Sequence, residues 1–340
     1  MNSYKRTMAA IYGEAYDRTP VIPLVIQHAL HAAKIPHREY SSNASRMFEA
    51  QLYALNKYGY DGIHITTDNQ IIPEALGCEI YLPYDEPPQY RSRILADKKD
   101  LSRVKKDFDP YNAGRMPVIL EATRIARENL GENYFIKVNC DAGAFTVAAA
   151  LRGEEKFFMD LYDDIQFVYD LLEICCDAVI KYVKAIAGSG AHAITFGDST
   201  AGLIGRDFYK KFALPFQKRV VDSIKSFGLP AFMHVCGDTN DLIELMACSG
   251  ADVLEVDSQT DLEATYVKTD CKVCLEGNLH PTEVLLQGTE QLVYNESVQC
   301  IKKSRGRLLI LSSGCEVPRF TPEENIKAMV KASMDYSFTN

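Results

Sequence analysis

Eight short apolar or β-branched runs recur along the 340 residues, at 21–26, 61–66, 134–139, 192–196, 230–234, 252–256, 272–275 and 308–311. Each ends in a polar residue or glycine, and segments with helical spacing lie between them. The stretch 42–58 puts Met47, Phe48, Leu52 and Leu55 on one face, 118–130 closes at Gly131, and 163–186 closes at Gly188-Ser189-Gly190. Strands alternating with helices call for a parallel sheet, since parallel neighbours need long crossovers. Eight such units predict an α/β fold, a single (β/α)8 TIM barrel with an N-terminal helical extension. No composition shift or Gly/Ser linker divides the chain, so one domain over residues 1–340 is expected. The polar, proline-bearing stretch from about 78 to 116 reads as an excursion with short elements.

Active sites of such barrels lie at the C-terminal ends of the strands. The residues following each run are Gln27 and His28, Thr67 and Asp68, Cys140 and Asp141, Asp198, His234 and Cys236, Asp257, Asn278, and Cys315. The chemistry-bearing residues therefore gather at one rim. His234 and Cys236 form an H-x-C pair, and residues i and i+2 of a strand point to the same side. With Cys315 they make a three-ligand zinc site with an open fourth position, the pattern of a catalytic rather than a structural zinc. Packing is the competing reading for each residue alone, because a free cysteine behaves as a small buried hydrophobe. Asp257 is a possible fourth oxygen ligand or a partner behind the ligands. Asp198, Asn278, His28 and Asp141 are candidates to face a bound substrate or cofactor, against loop-capping and core roles. Cys271-x-x-Cys274 spans a strand start where i and i+3 face opposite sides, so core packing is expected there, and also for Cys248.

The net charge of −9 and the lack of any Lys/Arg-rich run argue against nucleic acid as partner. No stretch approaches the roughly 18 apolar residues of a membrane span. The opening residues carry no signal-peptide core, which places the protein in the cytoplasm. Ten cysteines in a chain this long imply buried thiols and a few ligands rather than a disulfide scaffold.

Several stretches resemble the methylcobamide:coenzyme M methyltransferases of the uroporphyrinogen decarboxylase superfamily. They are Met233-His234-Val235-Cys236-Gly237, Glu276-Gly277-Asn278-Leu279-His280-Pro281, and Ser312-Ser313-Gly314-Cys315-Glu316-Val317-Pro318. Asp17-Arg18-Thr19-Pro20-Val21, Gly143-Ala144-Phe145-Thr146 and Leu151-Arg152-Gly153 agree. The resemblance covers about residues 5 to 335. It implies a (β/α)8 barrel with zinc on His234, Cys236 and Cys315, and a position for Asp257 at which the family more often has Glu. The activity it implies is methyl transfer between a methyl-corrinoid protein and a zinc-activated thiol such as coenzyme M. An alternative within the superfamily is demethylation of a methoxylated or methylated substrate onto a Co(I) corrinoid protein. No Asp-x-His pair occurs, so methylcobalamin or another corrinoid would arrive on a partner protein. A barrel that only docks such a partner is a third reading. Porphyrinogen decarboxylation fits less well. The arginine-bearing N-terminal loop of the decarboxylases is replaced by Val25-Ile26-Gln27-His28-Ala29-Leu30, which leaves a polycarboxylate without its cationic partners.

Overall fold

The computed structural model describes residues 1–336. Its strands are β1 (Gly62–Ile65), β2 (Glu79–Tyr81), β3 (Gln89–Ser92), β4 (Phe135–Ala142), β5 (Ala193–Gly197), β6 (Ala231–Val235), β7 (Val253–Val256), β8 (Cys274–Leu279) and β9 (Leu309–Ser313). Seven of them form one parallel sheet in the order β1-β4-β5-β6-β7-β8-β9. Helices cover its outer face, and the strands are buried almost throughout, as a parallel sheet covered on both faces must be. The expected excursion is the antiparallel β2–β3 hairpin and a short 3-10 turn, Leu101–Arg103.

The run 21–26 departs from expectation. Only Val21 pairs, as a single parallel bridge to Leu311. Pro20 and Pro23 have no N–H to give to a ladder, and the chain turns into the helix Gln27–Ala32 directly after Ile26. That one residue still joins the two edges of the sheet. Ile22 N–H donates to the Leu311 carbonyl at 3.0 Å, and Asp61 N–H donates to the Val21 carbonyl at 2.7 Å. The barrel thus closes through seven strands and one bridged residue.

Two further boundaries differ. The helical stretch expected over 163–186 is the helix Ile165–Ala187, and a separate helix, Glu154–Asp163, precedes it. Asp164 caps the longer one through the Phe167 N–H. β4 and β8 run further than the sequence runs, so Cys140, Asp141 and Asn278 lie within strands rather than beyond them.

The barrel interior is layered. At the N-terminal end Ile22, Phe135, Ala193, Phe232, Val253, Cys274 and Ile310 pack together, and Ile11 of the helix Ser3–Tyr12 closes that floor. The middle layer is charged. Lys137 Nζ lies 2.8 Å from Glu255 and 2.6 Å from Glu276. His64 of β1 sits in register with Lys137. The mouth at the strand C-termini lies above this layer. Among the described residues no helix is long and apolar enough to cross a membrane.

Candidate metal centre

β6 ends at Val235, and its alternation turns His234 and Cys236 the same way. His234 Nε2 lies 2.9 Å from Cys236 Sγ. β9 delivers Cys315 two residues past its end. The ligand atoms of His234, Cys236 and Cys315 lie within 4.8 Å of one another, and all three residues are half-buried.

The surroundings fix the orientation of each donor. β6 and β7 pair His234 with Glu255, and His234 Nδ1 lies 3.0 Å from the Glu255 carbonyl oxygen. A carbonyl only accepts, so Nδ1 carries the proton, and in the neutral ring Nε2 is left with its lone pair toward the two sulfurs. Ser199, just past β5, places its hydroxyl 3.0 Å from Cys236 Sγ. Gly314 packs flush against the loop after β7, where an added Cβ would lie 2.4 Å from the Ser258 nitrogen.

Electrostatics couple the three. Hydrogen bonding from the Cys315 thiol, helped by Ser199, holds the Cys236 thiol down to about 7 against burial. Sharing its proton with that sulfur pushes the Cys315 thiol up, and burial adds to the effect. Burial opposes charge on His234, but Cys315 and the Glu255 carboxylate together raise it to about 8. The donors hold among themselves protons that a divalent cation would displace.

The set fits zinc. Two sulfurs and an imidazole are its preferred donors, and tetrahedral ligation at about 2.0–2.3 Å spaces ligands roughly 3.5 Å apart, a small adjustment from the distances found. Three protein donors leave a fourth position open.

The other sequence candidates lie elsewhere. Asp257 does not join the three donors; its Oδ2 accepts from the Gly237 N–H at 2.9 Å and its Oδ1 from the Ser258 hydroxyl and the Gln259 N–H. It thereby holds the loop next to Cys236. Asp198 is buried, with Oδ1 accepting from the Thr146 N–H and Oδ2 from Gln217. Asn278 donates its amide to the carbonyls of Asp257 and Thr260, a loop-structuring role. His28 is a satisfied core histidine. Its Nε2 lies 2.8 Å from the Tyr58 hydroxyl, and burial pulls its pKa down to about 4. Asp141 is buried, with its backbone in the left-handed region at φ 81° and its Oδ2 accepting the Ile72 N–H at the head of the helix Ile71–Ala75. Asp198 and Asp257 thus have both carboxylate oxygens occupied by protein donors, whereas Asp141 Oδ1 is buried with no hydrogen-bond partner. Of the thiols expected to pack, Cys274 does, whereas Cys248 and Cys271 are exposed.

Four relevant residues escaped the sequence reading: Lys137, Glu255, Glu276 and Ser199. Burial opposes charge on each member of the buried triad. Lys137, shared between the two carboxylates, holds Glu255 ionised, whereas Glu276 beside it is pushed up. The available signal was a charge in the middle of an apolar run, as Lys137 and Glu255 are. Ser199 carried no signal beyond its place after a strand.

A family model described as uroporphyrinogen decarboxylase (URO-D) matches residues 2–336. The methylcobamide:CoM methyltransferase MtbA of Methanosarcina acetivorans is 27% identical over 340 residues, covering 98% of each chain. A uroporphyrinogen decarboxylase of Synechococcus is 25% identical over 342 residues, covering 96% of this chain and 94% of its own. The solved structure of a methyltransferase from Methanosarcina mazei superposes with a TM-score of 0.91 at 25% identity, over 98% of this chain and 99% of that one. With nearly its whole length matched, the chain belongs to the uroporphyrinogen decarboxylase family.

Proposed function

We propose that this methyltransferase moves a methyl group between a methyl-corrinoid carried by a partner protein and a small thiol, using a zinc ion held by His234, Cys236 and Cys315. The observation that carries the reading is the convergence of those three donors at the barrel mouth. The relative MtbA is named for methyl transfer between methylcobamide and coenzyme M, a thiol of the required kind.

Zinc in such a set supplies the positive charge that strips the proton from a thiol at neutral pH. His234 presents Nε2 because the Glu255 carbonyl holds its Nδ1–H. Cys236 and Cys315 together contribute two negative charges, so a divalent ion between them and a neutral imidazole has none left over. Zinc held by these residues would keep an added sulfur electron-rich. The thiol of the substrate would supply the electron pair of the new S–C bond, and the pair of the broken C–Co bond would stay with the cobalt of the corrinoid substrate. Lewis-acid activation of an ether oxygen depends more on positive charge at the ion, which two thiolates lower, so the ligand set favours the thiol over a methoxylated substrate.

Porphyrinogen decarboxylation is disfavoured by charge. Arg115 is taken by Asp68 and Glu74, Arg152 by Asp160, and Arg319 by Asp85. Zinc-loaded protein mixed with methylcobalamin and a panel of thiols should generate Co(I), followed by absorbance. No Co(I) with any thiol would remove the proposal.

A further inference from the structure

Resting on the metal reading above, we infer that Ser199 is a positioning residue for that centre: its hydroxyl donates to Cys236 Sγ and draws charge off that one ligand. The geometry is specific. Ser199 Oγ lies 3.0 Å from the sulfur, and once Cys236 is a thiolate only the hydroxyl can be the donor. The segment that carries Ser199 lies against the ligand strand. At Gly202 an added Cβ would sit 3.1 Å from the Cys236 carbonyl oxygen and 3.0 Å from Val235.

A buried frame holds Ser199 in place. The N–H of its neighbour Asp198 donates to the His234 carbonyl at 2.8 Å. The Asp198 carboxylate accepts from Thr146 N–H at 2.9 Å and from Gln217 Nε2 at 2.8 Å. Gln217 in turn accepts from the Tyr209 hydroxyl at 2.6 Å, and Thr200 N–H donates to the Thr146 hydroxyl at 3.1 Å. Gly143 makes room for this carboxylate, since a Cβ there would lie 2.5 Å from Asp198 Cγ. Tyr209, Gln217 and Asp198 thus form a chain of fixed contacts whose outer end aims one hydroxyl at one sulfur. Asp198, a candidate to face substrate from its rim position, acts instead through Ser199.

A hydrogen bond from a hydroxyl to a thiolate is charge-assisted and stabilises the sulfur lone pairs. Without it Cys236 donates more charge to the ion, which then acidifies an added thiol less. Partners of this kind are worth about 10–100-fold in metal affinity or activity.

The test replaces zinc by Co²⁺ in the wild-type chain and in Ser199→Ala, Ser199→Cys and Ser199→Thr, and records the sulfur-to-cobalt absorption band. The band should move to longer wavelength in Ser199→Ala, move less in Ser199→Cys (a weaker donor of similar size), and return in Ser199→Thr. Losing the hydroxyl also frees the Cys236 side chain from its fixed orientation, so zinc affinity by chelator competition should fall about 10-fold in Ser199→Ala. Circular dichroism reports folding, and Ser199→Cys carries the test if the alanine variant does not fold. An unmoved band with unchanged zinc affinity in a folded variant overturns the role of Ser199 alone. A wild-type chain with no sulfur-to-cobalt band overturns the metal reading, and the inference with it.

Discussion

His234 turns its Nδ1 to the backbone carbonyl of Glu255, 3.0 Å away on the adjacent strand. The orienting partner is therefore main chain, and side-chain chemistry at position 255 is free of that task. Glu255→Gln should retain zinc at wild-type stoichiometry after dialysis. His234→Ala should lose it, with an affinity drop beyond the roughly 10–100-fold typical of changes behind the ligands. Elemental analysis of both variants checks the contrast.

Gly314 offers a way to disturb the centre without touching a donor. A Cβ there would meet the Ser258 nitrogen at 2.4 Å and Asp257 at 3.1 Å, both backbone atoms that cannot swing aside. Gly314→Ala should push the start of the Cys315 loop away from β7. A stability loss of about 1–3 kcal/mol and weakened zinc binding are expected, read by urea denaturation and chelator competition.

The charged middle layer should be costly to break from the cation's side. Lys137 is 1% exposed and serves both Glu255 and Glu276. Lys137→Met leaves two buried carboxylates with no counter-charge from this residue, a change that costs about 3–5 kcal/mol in comparable pairs. Denaturation midpoints at pH 7 measure it. Glu276→Gln in the same background should recover part of the loss.

Buried neutral histidines set the acid limit. Burial holds His28 near about 4, against 6.5 for the free side chain. Between those values the unfolded chain takes up a proton that the folded chain refuses. Stability therefore declines as pH falls through 6.5 and levels off below about 4. At pH 5 this one group costs about 2 kcal/mol. His64, lowered to about 3, and His192, lowered to about 4, act in the same direction. The difference between urea midpoints at pH 7 and pH 5 should shrink in His28→Gln.

Much of the fold is legible in the order of the runs, because a parallel strand buried on both faces has to be continuously apolar. The first run failed as a strand because Pro20 and Pro23 withhold donors from the ladder, leaving Val21 as the single bridge. The pairing of His234 with Cys236 follows from strand alternation. The roles of Asp198, Asp257 and Asp141 do not, because a carboxylate at a strand end either faces the mouth or captures a backbone N–H, and the loops that fold over it decide which. Ser199 was invisible for the same reason: its aim depends on Gln217, eighteen residues onward, gripping Asp198.

X-ray absorption at the zinc edge, with and without a thiol substrate, tests the central claim most directly. The account predicts two sulfur scatterers at about 2.3 Å beside nitrogen in the resting protein, and a third sulfur once the thiol is added. A zinc ion without sulfur neighbours, or a sulfur count that the thiol does not change, would contradict it.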